Sequence, residues 1–217
     1  MDLLSFARGP ALQWSLVVLV LGLVWRLTGV LLQPQKRDLS APRSDETVRG
    51  AWRMILRRMW PKPEFAAGSA VSTGTGYVFH LGLFVVFFLA APHVRFVEDL
   101  VGLSWPHLPN TVVTVTGALT LAALLAMLVM RVGSPVKRLL SNFDDYFSWF
   151  VTAAPVATGL AATAHFGGPY ETVLAVHILS AELLLVWLPF GKLMHVVLVF
   201  LSRGATGAAL ARKGASI

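Results

Sequence analysis

This sequence has no cysteine and few charged residues. None of its 217 residues is cysteine, which excludes disulfides, iron–sulfur clusters held by thiolates and covalently attached c-type haem. Only 13% of the residues are charged, whereas a soluble domain has about 25%. Any redox cofactor must therefore be held by histidine, by methionine or by noncovalent contacts.

Apolar residues make up 56% of the chain. Five segments are long and apolar enough to cross a bilayer, at about 11–32, 70–92, 110–131, 146–165 and 172–201. The first is long for a signal-peptide core and lacks a clear cleavage site, so we interpret it as a retained helix. The sequence predicts an all-α integral membrane bundle, with residues 1–217 as a single membrane domain. The spans leave no room for a separate soluble catalytic domain.

The formal charge of +7 would suggest nucleic acid in a soluble protein, but here the basic residues cluster between the spans. The loop at 33–63 and the loop after 131 are basic, and the other two loops are nearly free of basic residues. The positive-inside rule then predicts an N-terminus outside and a cytoplasmic C-terminus. We expect a multi-pass protein of the bacterial cytoplasmic (inner) membrane, in contact with lipid and with no nucleic-acid partner.

The basic loop at 33–63 also contains an amphipathic segment. Residues 48–59 mix Trp52, Ile55 and Leu56 with four arginines. This pattern is typical of a helix lying on an anionic membrane surface. It equally suits a platform for a cytoplasmic partner.

The spacing of two histidines is the most specific signal in the chain. His177 and His195 lie eighteen residues apart in the predicted span 172–201. Eighteen residues make five helical turns and about 27 Å of rise, so both imidazoles would face one way at two membrane depths. Buried membrane histidines are costly and mark functional sites. We therefore expect two stacked metal centres, with haem iron as the metal.

The second span supplies partners at matching depths. In the predicted orientation His80 is level with His195 on the inner side, and His93 is level with His177 on the outer side. His93 is about 140° off the face of His80 on an ideal helix, but Pro92 can end or kink the span and re-aim it. His165 competes with His93 as the outer ligand. His107 lies in a loop, where we expect it to be solvated.

The motifs around these histidines resemble a known family. They are Phe79-His80-Leu81-Gly82-Leu83, Leu188-Pro189-Phe190-Gly191-Lys192-Leu193-Met194-His195, Ser134-Pro135, Asp145 and Gly159. From about residue 70 to 200 the pattern resembles the gamma-subunit family of respiratory nitrate reductase, which includes the membrane cytochromes b of sulfite-reduction and heterodisulfide-reductase-like complexes.

The resemblance implies a dihaem b subunit that exchanges electrons with quinone and with a cytoplasmic iron–sulfur subunit. By position, His80 and His195 would bind the inner haem, and His177 would bind the outer one. The nitrate reductase pattern places the second outer ligand ten residues after His80, where this chain has Ala90. Alanine cannot ligate iron, so His93 is the substitute, and the chain is closer to the sulfur-metabolism branch than to nitrate reductase itself.

Two further polar residues lie in the predicted fifth span. A charged Glu182 carboxylate is unfavourable in a membrane unless it is protonated, paired or in a water-filled cavity. It is therefore predicted to transfer protons or to hydrogen-bond a neighbouring helix. Lys192 is predicted to neutralise a haem propionate or to snorkel to the interface.

Together these features predict a membrane-anchor cytochrome b subunit of a respiratory oxidoreductase complex. It would pass electrons between the quinone pool and a cytoplasmic iron–sulfur subunit through two bis-histidine haems b. Such a chain is an electron-transfer subunit rather than a stand-alone catalyst. The alternatives are a proton- or ion-conducting transporter and a haem-free membrane anchor.

Overall fold

The computed structural model describes residues 2–34 and 38–215. Residues 35–37 of the predicted basic loop, residue 1 and residues 216–217 lie outside the described part. The helices are α1 (Leu3–Leu31), α2 (Thr47–Arg57), α3 (Pro63–Leu89), α4 (Ala91–Val101), α5 (Asn110–Gly133), α6 (Pro135–Leu139), α7 (Phe143–Thr163), α8 (Tyr170–Trp187) and α9 (His195–Arg212). The described residues contain no strand, so the all-α prediction is confirmed.

Among the described residues, five helices are long and apolar enough to cross a membrane: α1, α3, α5, α8 and the segment Lys192–Arg212 that contains α9. The number of candidate spanning helices agrees with the prediction, but one of the five helices is not the predicted one. The predicted fourth span, 146–165, is α7, which is long but is not among the five. Seven residues of α7 are buried. A helix covered by other helices can carry polar residues such as Ser148 and Thr152, which lower its mean hydropathy.

The prediction of one continuous helix over 172–201 is wrong. The helix α8 ends at Trp187, a 3₁₀ turn follows at Lys192–Met194, and α9 begins at His195. Pro189 has no N–H to donate and disfavours a helical conformation at the residue before it. Gly191 then adopts an extended conformation. His177 and His195 therefore lie on two helices, and the five-turn register between them does not exist.

The chain divides into two compact units, of which residues 2–20 and 71–187 form the first. In this unit α7 packs against both α8 and α5. Its core contains Leu124, Ala153 and Val156. Gly82 of α3 lies directly against the buried Thr120 of α5, where a Cβ atom would overlap the threonine hydroxyl. The missing side chain thus lets α3 and α5 approach closely.

The second unit consists of residues 21–70 and 188–217. Its main contact is between α2 and α9. A helix thus forms where the amphipathic segment of the basic loop predicted one. In the same unit Gly22 of α1 lies against Pro189, whose Cγ would be 2.6 Å from an added Cβ. The orientation inferred from the basic loops stays a prediction.

Candidate functional site

The site is built around the break between α3 and α4. The helix α3 ends at Leu89, Ala90 is extended, and Pro92 lies in the first turn of α4. Proline is favoured there because the first amides of a helix have no partner inside the helix. The break places His93 in a new helix, so the unfavourable angle between His80 and His93 on one ideal helix no longer applies.

The imidazole of His93 caps the helix that precedes it. Its Nδ1 lies 2.9 Å from the carbonyl oxygen of Val86 and 3.2 Å from that of Phe87. These are among the last four carbonyls of α3, which have no partner inside the helix. Because a carbonyl oxygen only accepts, Nδ1 is the protonated nitrogen. The lone pair of His93 is therefore on Nε2, the atom available to a metal.

His177 is held in the same tautomer by α7. Its Nδ1 lies 3.3 Å from the Thr158 hydroxyl oxygen, and that hydroxyl donates its own proton to the Ala154 carbonyl at 2.7 Å. The hydroxyl thus accepts from the Nδ1–H of His177, which leaves the lone pair on Nε2. Ser180 donates its hydroxyl proton to the His177 carbonyl oxygen at 2.7 Å, and its oxygen lies 3.0 Å from that of Thr158.

A glycine makes room for the His177 ring. An added Cβ at Gly159 would lie 3.0 Å from Cε1, 3.3 Å from Nδ1 and 3.7 Å from Nε2 of His177. Ordinary carbon contacts begin near 3.5 Å. The absence of a side chain at this position is therefore a condition for the observed position of the ring.

The two imidazoles lie side by side. The ring centroids of His93 and His177 are 6.0 Å apart, and their planes differ by 9°. Two imidazoles that bind one metal end-on through Nε2, with bonds of about 2 Å each, have ring centres roughly 6 Å apart. The observed separation of the ring centroids matches that value, and each Nδ1 has a hydrogen-bond partner in the protein.

The predicted inner ligands lie in different units. His80 is on α3 in the first unit, and its Nδ1 donates to the Gly76 carbonyl at 2.7 Å. His195 begins α9 in the second unit, and its Nδ1 donates to the Lys192 carbonyl at 2.9 Å. Both rings thus have the tautomer seen at His93 and His177, and their pairing stays a prediction. The exposed Lys192 side chain lies in the 3₁₀ turn before His195.

The other two histidines have separate surroundings. His165 follows α7 with a φ of 51°, and the amide of Phe166 bonds back to the Ala161 carbonyl at 2.9 Å. This is a helix-ending motif that usually uses glycine. The His165 ring packs on Tyr170 at 5.0 Å. His107 is exposed in the loop before α5, as predicted. Of the two predicted candidates for the outer ligand, His93 and not His165 lies beside His177.

Glu182 is the buried carboxyl of α8. The residue is 5% exposed, and its Oε1 has no hydrogen-bond partner in the described structure.

Residues 2–34 and 38–215 contain no group of three or more His, Cys, Asp or Glu side chains that could hold a metal ion. Bis-histidine ligation of haem iron needs only two protein ligands.

The sequence did not identify Thr158 and Ser180 as parts of the site. Ser180 is three residues after His177, on the same helix face, so its proximity was readable from spacing. Thr158 was not, because it lies on α7 and meets His177 only through the packing of α7 on α8.

Comparison with known proteins reveals a relative of nearly equal length. A protein of Nitratidesulfovibrio vulgaris (strain Hildenborough) is 32% identical over 226 residues, which cover 98% of this chain and 96% of the relative. Its name is "Protein", which states no function. No family model matches the chain. No solved structure matches it.

Proposed function

We propose that this chain, which belongs to one family with the Nitratidesulfovibrio vulgaris protein, is the membrane cytochrome b subunit of a respiratory oxidoreductase complex. The observation that carries the proposal is the pair of parallel imidazoles of His93 and His177, 6.0 Å apart. Bound haem would supply a one-electron carrier within the bilayer. The partners would be membrane quinone and a cytoplasmic iron–sulfur subunit.

The chain's own contribution at this site is orientation. The carbonyls of Val86 and Phe87 hold the His93 ring, and the Thr158 hydroxyl holds the His177 ring. Hydrogen bonds of this kind fix the ring rotation and make the ligating nitrogen more basic. The bare backbone of Gly159 leaves space beside one ring.

We assign His80 and His195 to a second haem, and Lys192 to one of its propionates. The support is the Nδ1 hydrogen bond that each of these histidines makes to a backbone carbonyl. Such a bond leaves Nε2 as the ligating atom. Two haems would allow electrons to cross the membrane.

Glu182 is proposed as the proton-transfer group. It lies five residues after His177 on α8, is buried, and has a carboxylate oxygen that no described residue engages. Quinone and quinol differ by two protons as well as two electrons, so the site needs a group that holds and releases a proton. A buried carboxyl on the helix that carries His177 is suited to that step.

The test uses difference spectra of purified single variants. His93→Ala and His177→Ala should each abolish the same haem b component, and His80→Ala and His195→Ala should both abolish the other. His107→Ala is the control, since this exposed loop residue should leave both components unchanged. Pyridine haemochrome content then gives the number of haems per chain.

Two results would contradict the proposal. A colourless wild-type protein, isolated intact with its native partners, would favour the haem-free anchor. Loss of different components in His93→Ala and His177→Ala would show that these residues do not share one iron.

A further inference from the structure

The surface of α2 is divided into three faces. Gly50 and Met54 form a buried face. Val48, Trp52 and Leu56, which we call the α2 apolar stripe, are 71%, 61% and 60% exposed. Residues four apart lie on one side of a helix, so these three side chains form a continuous surface. A helix with an exposed apolar stripe needs something to cover it.

The buried face of α2 packs closely on α9. An added Cβ at Gly50 would lie 2.7 Å from the Gly207 carbonyl oxygen, and one at Gly207 would lie 2.6 Å from the Met54 Cβ. Ile55 contacts Gly204, so the two helices run antiparallel. This contact defines which face of α2 is buried. The α2 apolar stripe is therefore directed away from the Gly50–Gly207 contact.

The third face is basic. Arg49, Arg53 and Arg57 follow the α2 apolar stripe by one position at each turn, and all three are exposed. Arginine lies next to tryptophan and leucine along the whole helix. This combination is typical of a helix that binds an anionic bilayer, with guanidinium groups on lipid phosphates and apolar side chains in the acyl region.

The chain also holds α2 close to membrane-type helices. Five residues, 58–62, connect α2 to Pro63, where α3 begins, and five residues reach at most about 18 Å. Both α3 and the segment that contains α9 are apolar enough to cross a membrane. Trp60, in the connection, is 70% exposed, and tryptophan is enriched at membrane interfaces.

The loop before α2 is fastened to the end of α9. The Arg43 amide donates to the Arg212 carbonyl at 2.8 Å, and Arg212 donates to the Ser40 carbonyl at 2.7 Å. The Nζ atom of Lys213 lies 3.7 Å from the Oδ2 atom of Asp38. The Ser40 hydroxyl and amide, with smaller contributions from the two basic residues, hold the pKa of the Asp38 carboxyl below its usual value. The hydrogen bonds to Arg212 and from Arg212 to Ser40 thus connect this loop to the end of α9.

We propose that α2 is an anionic-lipid-binding helix. The α2 apolar stripe enters the acyl boundary, and Arg49, Arg53 and Arg57 bind the phosphates of acidic phospholipids. The surface is fixed by the contact with α9 and does not depend on haem. The charge of the basic face, the apolar stripe beside it and the short connection to α3 favour lipid over a soluble partner.

Because the natural chain has no cysteine, a single introduced thiol is a unique labelling site. A nitroxide would be attached to the Leu56→Cys variant of the full-length protein in nanodiscs, made either of phosphatidylcholine alone or with added phosphatidylglycerol. The matched control is Asp45→Cys, an exposed position just before α2. Collision with oxygen and with a water-soluble nickel chelate reports the depth of each label.

We expect the Leu56→Cys label to favour oxygen over the chelate in the anionic nanodiscs, and the Asp45→Cys label to remain in water. Adding Arg53→Gln and Arg57→Gln should reduce the enrichment of phosphatidylglycerol around the protein by about fivefold per arginine, the factor for one charge near an anionic surface. A Tm equal to that of the parent protein would show that this double variant folds.

Three results would overturn the proposal. In the first, the Leu56→Cys label is as accessible to the chelate as the Asp45→Cys label in both bilayers. In the second, it is shielded only after the soluble subunit of the native complex is added, which would make α2 a protein interface. In the third, lipid enrichment is unaffected by the arginine substitutions, which would refute phosphate binding by the basic face.

Discussion

Substitution of Gly159 by alanine tests the position of the His177 ring. The new Cβ would be 3.0 Å from the imidazole Cε1, and a relaxed carbon contact is about 3.5 Å. The ring must therefore move by about 0.5 Å. The hydrogen bond between His177 Nδ1 and the Thr158 oxygen is already 3.3 Å long, so a movement of this size away from Thr158 would break it.

The energetic consequence has two parts. Overpacking costs about 1–3 kcal/mol, while replacing glycine by alanine inside a helix stabilises the chain by about 1 kcal/mol. Gly74→Ala in α3 isolates the second part, because an added Cβ there has no neighbour within 4 Å. Relative to Gly74→Ala, we expect Gly159→Ala to be less stable by about 1–3 kcal/mol.

The assay compares the two purified variants in one detergent. Unfolding followed by tryptophan fluorescence gives the stability difference, and the difference spectrum and midpoint potential of the proposed haem would report a change at its proposed ligand, His177. Gly159→Ala should lower the Tm and shift the midpoint potential of one haem component. Gly74→Ala should neither lower the Tm nor shift that potential. Equal Tm and equal spectra for the two variants would refute the contact between Gly159 and His177.

Two further substitutions probe the first unit. Gly82→Ala should destabilise the protein by about 1–3 kcal/mol, because its Cβ would overlap the buried Thr120 hydroxyl; a second substitution, Thr120→Ala, should restore part of the Tm, and no recovery would contradict this contact. Asp145→Ala should cost about 1–2 kcal/mol, since Asp145 both pairs with Arg131 at 3.1 Å and accepts from the Asn142 amide at 3.0 Å. Asp145→Asn keeps the acceptor and loses the charge, so a Tm equal to that of Asp145→Ala would show that the cap contributes nothing.

Several features of the fold were readable from local sequence. Membrane helices satisfy their backbone hydrogen bonds internally, so the lengths of the apolar runs predicted α1, α3 and α5. Proline chemistry also acts locally. It predicted that the second span could end before His93, as it does at Leu89. The amphipathic pattern of the basic loop likewise predicted the helix α2.

The error over 172–201 has a physical origin. The run is apolar throughout, and apolar content dominated the prediction over the two breakers Pro189 and Gly191. A backbone break in an apolar segment is tolerated only where the surrounding protein satisfies the freed groups. Gly22 packs directly against Pro189, a contact between positions far apart in the sequence. No window of local sequence contains both residues.

The sequence by itself determined the helical class, the membrane character and the set of imidazoles, because hydropathy and backbone hydrogen bonding act over a few turns of chain. Only the tertiary structure decided which imidazoles meet. His93 and His177 are 84 positions apart, and their parallel rings result from the break at Pro92, the carbonyls at the end of α3 and the packing of α7 on α8. Each of these is a contact between separate elements, and the direction of a side chain after a helix break depends on such contacts rather than on helical periodicity.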